Sequence, residues 1–399
     1  VNAEGEYQLN YLAAGKYKLI AFEDKVENVQ FDFGKERFAF KNDPIELKEN
    51  QQENLNLFNQ KPAYRKPEAS FKGNGLIVFK TTGATDDITI TSLSKDFKTS
   101  TIEKFPRKDS INFWFNPKVD TIAAKSARLN FLVQHKDKKD TITALYTKSV
   151  EEYKLEFKPL NDKKLAPNQL FKIHGTAPIV AIDQTKIHVF KDSIEIPFKA
   201  SIDTLNRQNV LFTFEKALDQ NFEVNIYPKA LTDVLGEKND TLAYPIKMGT
   251  RGDFGHLKLT LQNTPTKPFI LQFLKADKDF TILDETYNQA GKNYFEFNFI
   301  EPGEYLFRLL VDENQNGKWD TGDFLTGVQP EPIYLYPEPI KVRAMWEAAE
   351  TWVLGEANQP VALPNDNADS DKNRIRKGQL KEGETRSSSE KGNNKKVGE

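Results

Sequence analysis

A chain of 399 residues is too long for a single hydrophobic core and points to several domains of ordinary size. Its 56 basic and 58 acidic side chains nearly balance, which leaves no global field for nucleic acid or a charged membrane surface. It has no cysteine, which excludes thiol catalysis, disulfides and thiolate metal sites, and no apolar run long enough to cross a bilayer as a helix.

Phe (29) and Tyr (13) are abundant, Met (2) is rare, and apolar and polar residues alternate along many short segments. That pattern predicts an all-β chain, a tandem of β-sandwiches. Residues 1–60 read as a small β-module with strands YQLNYL, GKYKLIAFED and ERFAF and a turn at Ala14-Gly15. Asn50 to Arg65, rich in Asn, Gln and Pro, reads as a linker. Residues 61–157 carry regularly spaced strands GLIVFKTT, DITITSL, SINFWFNP, RLNFLVQH and DTITALYT, as a β-sandwich does. Phe113-Trp114-Phe115 is expected to span a core. Residues 158–250 contain strands KIHVFKD, IEIPFKASID, VLFTFE and FEVNIYPKAL. Residues 251–355 contain strands at 255–261, 269–274 and 295–299, a PGEY turn, a QPEP breaker, and the strands IKVRAMW and TWVLG. Residues 356–399 are polar, lack aromatics and are expected to be a disordered tail.

Two of these segments are copies of each other. Gly303, Tyr305, Asp312, Asn316, Asp320 and Gly322 fall without a gap on Gly15, Tyr17, Asp24, Asn28, Asp32 and Gly34, and Phe297-Asn298-Phe299 falls on Leu9-Asn10-Tyr11. The second copy has about forty further residues ahead of the matching strand. The chain is therefore expected to be trimmed or processed, with part of its first module lying before Val1.

The residues of the third segment carry a resemblance. Pro178-Ile179, Ile182-Asp183 and Lys186-Ile187, then Pro228, Ala230, Asp233, Gly236, Asn239, Asp240 and Thr241, resemble the entry and late-turn signature of the bacterial Ig-like domain of S-layer-type proteins. Residues 251–355, with their PG-x-Y turn, resemble prealbumin-like β-sandwiches of carboxypeptidase regulatory type. The whole order resembles Ig-like-domain envelope lipoproteins of Bacteroidota. The resemblance implies an outer membrane-associated protein on the periplasmic or cell-surface side, anchored by a lipidated cysteine outside this chain.

The sharpest candidate for chemistry is Asp312 to Asp323, DENQNGKWDTGD. With Asp312 at position 1 of a calcium loop, Asn314 and Asn316 take positions 3 and 5, Gly317 the sharp turn, the carbonyl of Lys318 position 7, and Asp320 and Asp323 positions 9 and 12. Ca²⁺ requires such a ring of hard oxygens. A Gly/Asn/Asp-rich turn between two strands is the alternative. In the first copy Val26, Val29 and Lys35 replace Asn314, Gly317 and Asp323, so that copy is expected to be metal-free, with Glu27 and Glu36 as the oxygens left to substitute.

Six Asp-Ser/Thr-apolar triplets form a second signal and resemble the O-glycosylation signal of exported Bacteroidota proteins. Their acceptors would be Ser110, Thr121, Thr141, Ser193, Thr204 and Thr241. The alternative is an Asp that caps a turn before a strand. Asn239-Asp240-Thr241 is also a chance-level N-glycosylation sequon, and Arg251-Gly252-Asp253 reads as a decorated linker. His135, His174, His188 and His256 show no metal spacing, and no nucleophile or phosphate-loop motif occurs. Trp346 and Trp352, with Tyr334 and Tyr336, are expected to fill the last core, a stacking surface for sugar being the alternative.

These readings favour a non-enzymatic envelope protein, an interaction subunit whose partners are outer-membrane or envelope proteins, as in an assembly or export complex. A carbohydrate-binding or adhesive surface protein is the alternative.

Overall fold

The computed structural model describes residues 1–2, 5–25, 27–32, 36–60, 64–82, 87–94, 97–105, 108–120, 126–148, 153–161 and 164–355. They form strands and two short 3₁₀ turns, with no α-helix among them. The architecture is all-β, a tandem of β-sandwiches, and every strand pair but one is antiparallel. The polar segment 356–399 lies outside the described residues.

The sandwich that follows the first module has one sheet built on Leu76–Lys80 and Ser110–Trp114 and another on Ser126–His135 and Lys138–Thr147. Side chains alternate across a strand, and the aromatic run uses both faces. Phe113 and Phe115 enter the core with Ile77, Phe79 and Phe131. Trp114 points the other way, onto Ala177, Val234 and Leu235 of the next sandwich. The run therefore spans a core on one side and a domain junction on the other. Asn116 Nδ2 donates to the Leu235 carbonyl across this junction at 2.5 Å. Trp114 Nε1 donates to Oε2 of the buried Glu103. Burial pushes the Glu103 carboxyl up, against the Trp114 N–H and the Arg207 charge, which pull it down.

The next core gathers Phe171, Ile173, Val189, Val210, Phe212, Val224 and Ile246 from two four-stranded sheets. Its late turn explains the signature residues. Asp233, fully buried, accepts from the N–H groups of Leu235 and Glu237 at 2.9 Å and from the Tyr153 hydroxyl at 2.7 Å. Gly236 has φ +82, where only glycine is unstrained. Asn239 is buried, accepting from Leu231 N and donating to the Tyr227 and Asp240 carbonyls. Together they hold Val234 and Leu235 against Trp114. Arg251–Asp253 is a 3₁₀ turn between sandwiches, its Asp253 carboxylate paired with Lys164 at 2.7 Å and with Thr250.

In the last sandwich Gly255–Gln262 lies between Tyr294–Ile300 and Glu347–Val353, facing a sheet centred on Phe269–Lys275 and Gly303–Val311. The PG-x-Y turn has a steric cause. The Tyr305 ring folds back over Gly303, where a Cβ would meet it at 3.2 Å, and its hydroxyl donates to the Glu301 carbonyl. Tyr17 makes the same bond to Ala13, at 2.7 Å.

The two copies match strand for strand. Gly15–Tyr17 pairs with Ile45–Leu47 in the register that joins Gly303–Val311 to Ile340–Val342, and Ile20–Phe22 pairs with Arg37–Phe40 in the register of Arg308–Leu310 with Ile333–Leu335. The expected strand YQLNYL does not form. Its counterpart Tyr294–Ile300 pairs with Gly255–Gln262, whereas among the described residues no strand pairs with residues 7–12. The expected strand IKVRAMW likewise stops at Val342. Met345 adopts φ +60, and the chain turns before Glu347–Val353 begins.

The first module docks on the last. Relative to the first copy, the second carries extra residues between Asp320 and Glu331. The Phe324 ring from that insert packs on Phe38 and Phe40 with centroids 4.9 and 5.2 Å away. Thr321 Oγ1 donates to the Asn59 carbonyl, and Gln329 Nε2 to the Phe40 carbonyl. Gly322 admits the Phe58 ring, which a Cβ there would meet at 2.7 Å. Phe324→Ala should cost this contact about 2 kcal/mol. Hydrogen exchange at residues 37–40 should then rise while the core strand 303–311 stays protected. Unchanged exchange at 37–40 would show that the ring does not hold the module.

Candidate functional site

The loop after Gly303–Val311 is built around Asp312, which is fully buried. Oδ1 accepts from Asn316 N at 3.0 Å, and Oδ2 from Gly317 N at 2.8 Å and the Tyr287 hydroxyl at 3.0 Å. Gly317 turns at φ +84. Asn314 and Asn316 both direct Nδ2 at Asp320 Oδ2, at 2.7 and 2.5 Å. Lys318 N donates to Asn316 Oδ1 at 3.0 Å. Asp312, Asn314, Asn316, Lys318 and Asp320 are thus brought together in one loop.

Asp323 departs from the spacing rule. Its Oδ1 accepts from Gln60 Nε2 at 3.0 Å and Leu325 N at 2.9 Å, outside the loop and toward the first module. The cause is the insert, which leaves the loop at Thr321 to dock. Glu331 closes the loop instead. It is 7% exposed, and its two carboxylate oxygens accept from Asn314 N and Asp320 N at 3.1 and 2.8 Å. Burial pushes the Glu331 carboxyl up, and Asp320 and Asp312 add to this, against the two N–H donors.

The first copy solves the problem in the same way. Asp24 accepts from Asn28 N and Val29 N, and the buried Glu36 accepts from Lys25 N and Asp32 N at 2.8 and 2.9 Å. Glu36 and Glu331 are equivalent, each standing just ahead of a paired strand, Arg37–Phe40 and Ile333–Leu335. A gapless alignment hides this pairing because the insert lies in between. The signal in the sequence is Glu36-Arg37-Phe38 against Glu331-Pro332-Ile333.

As a metal site, the loop supplies the right kind of donors: two carboxylates, two amide oxygens exposed by rotating the Asn planes, and a carbonyl. Among the described residues, however, no three Asp, Glu or His side chains converge so as to hold an ion. The carboxylates present already serve donors of the protein, Asp312 and Glu331 main-chain N–H groups and Asp320 the Asn314 and Asn316 side-chain amides.

The other candidates separate. Ser193, Thr204, Thr241 and Thr141 are exposed and Ser110 is half-buried, whereas Thr121 lies outside the described residues. Ser193 tips a hairpin with Asp192, both at positive φ. Asp120 has a structural task, accepting from Lys98 N and Thr99 Oγ1. The four histidines are apart, bonded or stacked to Tyr64, Asn209, Glu195 and Asn298 in chain order. Trp352 is core, with Tyr336 edge-on at 5.6 Å and Tyr334 packed on the same cluster. Trp346 is 59% exposed, with the Arg343 guanidinium over one face.

No protein-family model and no curated protein matches the chain. Among solved structures, the Bacteroides ovatus mixed-linkage glucan utilization locus protein SGBP-B, in complex with a heptasaccharide, is 10% identical over 83% of this chain and 93% of that one, with a TM-score of 0.20. Surface layer protein SbsC, domains 4–9, is 11% identical over 70% of this chain and 52% of that one, with a TM-score of 0.22. A chimeric titin Z1Z2 is 13% identical over 49% of this chain and 98% of that one, with a TM-score of 0.21.

Asp312→Ala leaves two main-chain N–H groups and a phenol without an acceptor and should cost about 3 kcal/mol in urea unfolding of the last sandwich. Asp323→Ala, at the half-exposed dock, should cost less than about 1 kcal/mol. Equal costs would contradict the different roles given to the two carboxylates.

Proposed function

We propose that this protein is a non-catalytic interaction subunit of the cell envelope, a scaffold that presents docking surfaces at fixed positions. The observation that carries this reading is the set of locked junctions. Trp114, Asn116 and Leu235 fix one pair of sandwiches, Lys164 and Asp253 brace the next, and Phe324 with Gly322 seats the first module on the last. Contacts at these three junctions favour a presenter over a flexible string, because loose linkers would otherwise be the default.

The partners proposed are outer-membrane or other envelope proteins, with attachment to the membrane through a lipid anchor outside this chain. The sequence resemblance to envelope lipoproteins and the exposed Ser193, Thr204 and Thr241 hydroxyls support that location. The second reading, a glycan-binding or adhesive surface protein, is favoured by one observation, the free face of Trp346.

One preparation tests the reading. The full-length protein is drawn from its native host in mild detergent and analysed by mass spectrometry. Stoichiometric recovery of outer-membrane barrel proteins, and an intact mass above that of the polypeptide, are expected. Recovery of the protein alone would sink the subunit reading, and the bare polypeptide mass would remove the O-glycosylation one.

We also propose a weak structural Ca²⁺ site in the last sandwich. Asp312, Asn314, Asn316, the Lys318 carbonyl and Asp320 would hold the ion, with Glu331 in the place the spacing gives Asp323. Its affinity is expected near ~10⁻⁴–10⁻³ M. Millimolar Ca²⁺ should protect residues 312–331 from proteolysis and leave 24–36 unprotected. Equal protection of both loops, or of neither, would refute it.

A further inference from the structure

Glu103 lies on the strand Thr101–Lys104, opposite Asn112 of Ser110–Trp114. Residues opposite each other across an antiparallel pair, and their neighbours two positions along, share one face of the sheet. Glu103 therefore stands on the same face as Trp114. That face is turned away from its own core, which holds Phe113 and Phe115, and toward Ala177, Val234 and Leu235 of the third sandwich. A carboxylate on the outer face of a sheet ordinarily meets water. Glu103 is 4% exposed because the third sandwich stands over it.

The carboxyl is only half satisfied there. Trp114 Nε1 donates to Oε2 at 2.9 Å. Oε1 is buried without a hydrogen-bond partner among the described residues, and so is Arg207 Nε, an acceptor on one sandwich and a donor on the next. Arg207 is fixed to its own domain, its carbonyl accepting from Ile179 N at 2.8 Å. It is the charged group that the third sandwich turns toward Glu103, whereas Ser110–Trp114 offers the neutral Trp114 and Asn112. Other titratable groups of the junction pair among themselves, Tyr153 with Asp233 at 2.7 Å and Lys118 with Glu237 at 2.5 Å. Buried orphans are rare in folded chains, and two of opposite polarity mark a junction that closes at a cost.

We propose that Glu103 is a proton-operated latch: the second and third sandwiches lock together while its carboxyl carries a proton and hinge apart once it is ionised. Ionisation passes the proton to solvent and leaves a negative charge that water reaches only when the third sandwich withdraws. Burial pushes the carboxyl up in the closed junction, against the Trp114 N–H, the Arg207 N–H and the Arg207 charge. Opening returns it to the ordinary carboxylate range. Closure is therefore fully supported below that range and loses support as pH rises through the raised value. The contacts that part are Trp114 on Leu235 and the Asn116 bond to the Leu235 carbonyl. The latch concerns how the scaffold moves and is independent of what the scaffold carries.

The chain has no cysteine, so Leu145→Cys and Ile194→Cys, at exposed sites on the second and third sandwiches, take a dye pair specifically. Single-molecule energy transfer in the full-length protein should show one closed population at about pH 4.5. At about pH 8 the open population should be at least about tenfold larger. Glu103→Gln keeps an acceptor for Trp114 Nε1 and cannot ionise, so it should stay closed at both pH values. Arg207→Met removes the opposing charge and should enlarge the open population at the higher pH. No change with pH in the parent protein would overturn the inference. So would an equal change in Glu103→Gln, which would assign the effect to another acid such as Asp233. A Glu103→Gln variant open at both pH values would also overturn it, since the carboxyl would then pack the junction without sensing protons.

Discussion

A buried main-chain N–H in a loop has no ladder to join, and leaving it unpaired is costly. This chain meets that constraint repeatedly with a side-chain carboxylate. Asp312 and Glu331 close one loop, Asp24 and Glu36 its copy, and Asp233 and Asp120 close turns in the middle sandwiches. Each such acid sits where the backbone curls too tightly to bond itself. The turns it holds carry the residues that join one domain to the next, Leu235 onto Trp114 and Phe324 onto Phe38. The order of these turns therefore depends on a few acids that face inward, most of them buried.

The same constraint accounts for the double appearance of the loop after Val311. A metal loop and a self-satisfied β-turn ask for similar residues, because both need oxygens directed inward and a glycine to permit the bend. Here Asp312 directs its oxygens at N–H groups. The Asn314 and Asn316 amides point nitrogen, not oxygen, at Asp320. The chemistry leaves room for an ion only if those amides turn over.

Much of the architecture was legible in the sequence, because alternation and turn residues mark strands wherever one face is buried. The repeat was legible as well, since Gly303 and Tyr305 are fixed by one steric contact and reappear as Gly15 and Tyr17. What escaped were short or irregular strands without clean alternation, such as Phe157–Pro159, Ile179–Ile182 and Leu231–Asp233. YQLNYL misled for the opposite reason. Its pattern is that of a strand, but a strand needs a neighbour, and among the described residues none pairs with it. The residues that bond one another in the loop could be read up to Asp320. Beyond it, spacing failed at Asp323 because a docking insert intervenes, and only matching the two copies by strand brings out Glu331.

The seat of Phe58 on Gly322 has a mechanical consequence. The first and last modules are joined twice, once through the two middle sandwiches and once through this direct contact. The two routes act as springs in parallel, so tension applied between the ends is shared instead of travelling down a single line. The shorter route through the dock takes the larger share of the load and yields first, and the route through the two middle sandwiches then carries what remains. A tether of this kind gives way at the dock and leaves the middle of the chain folded, and the residue on which that depends is one with no side chain.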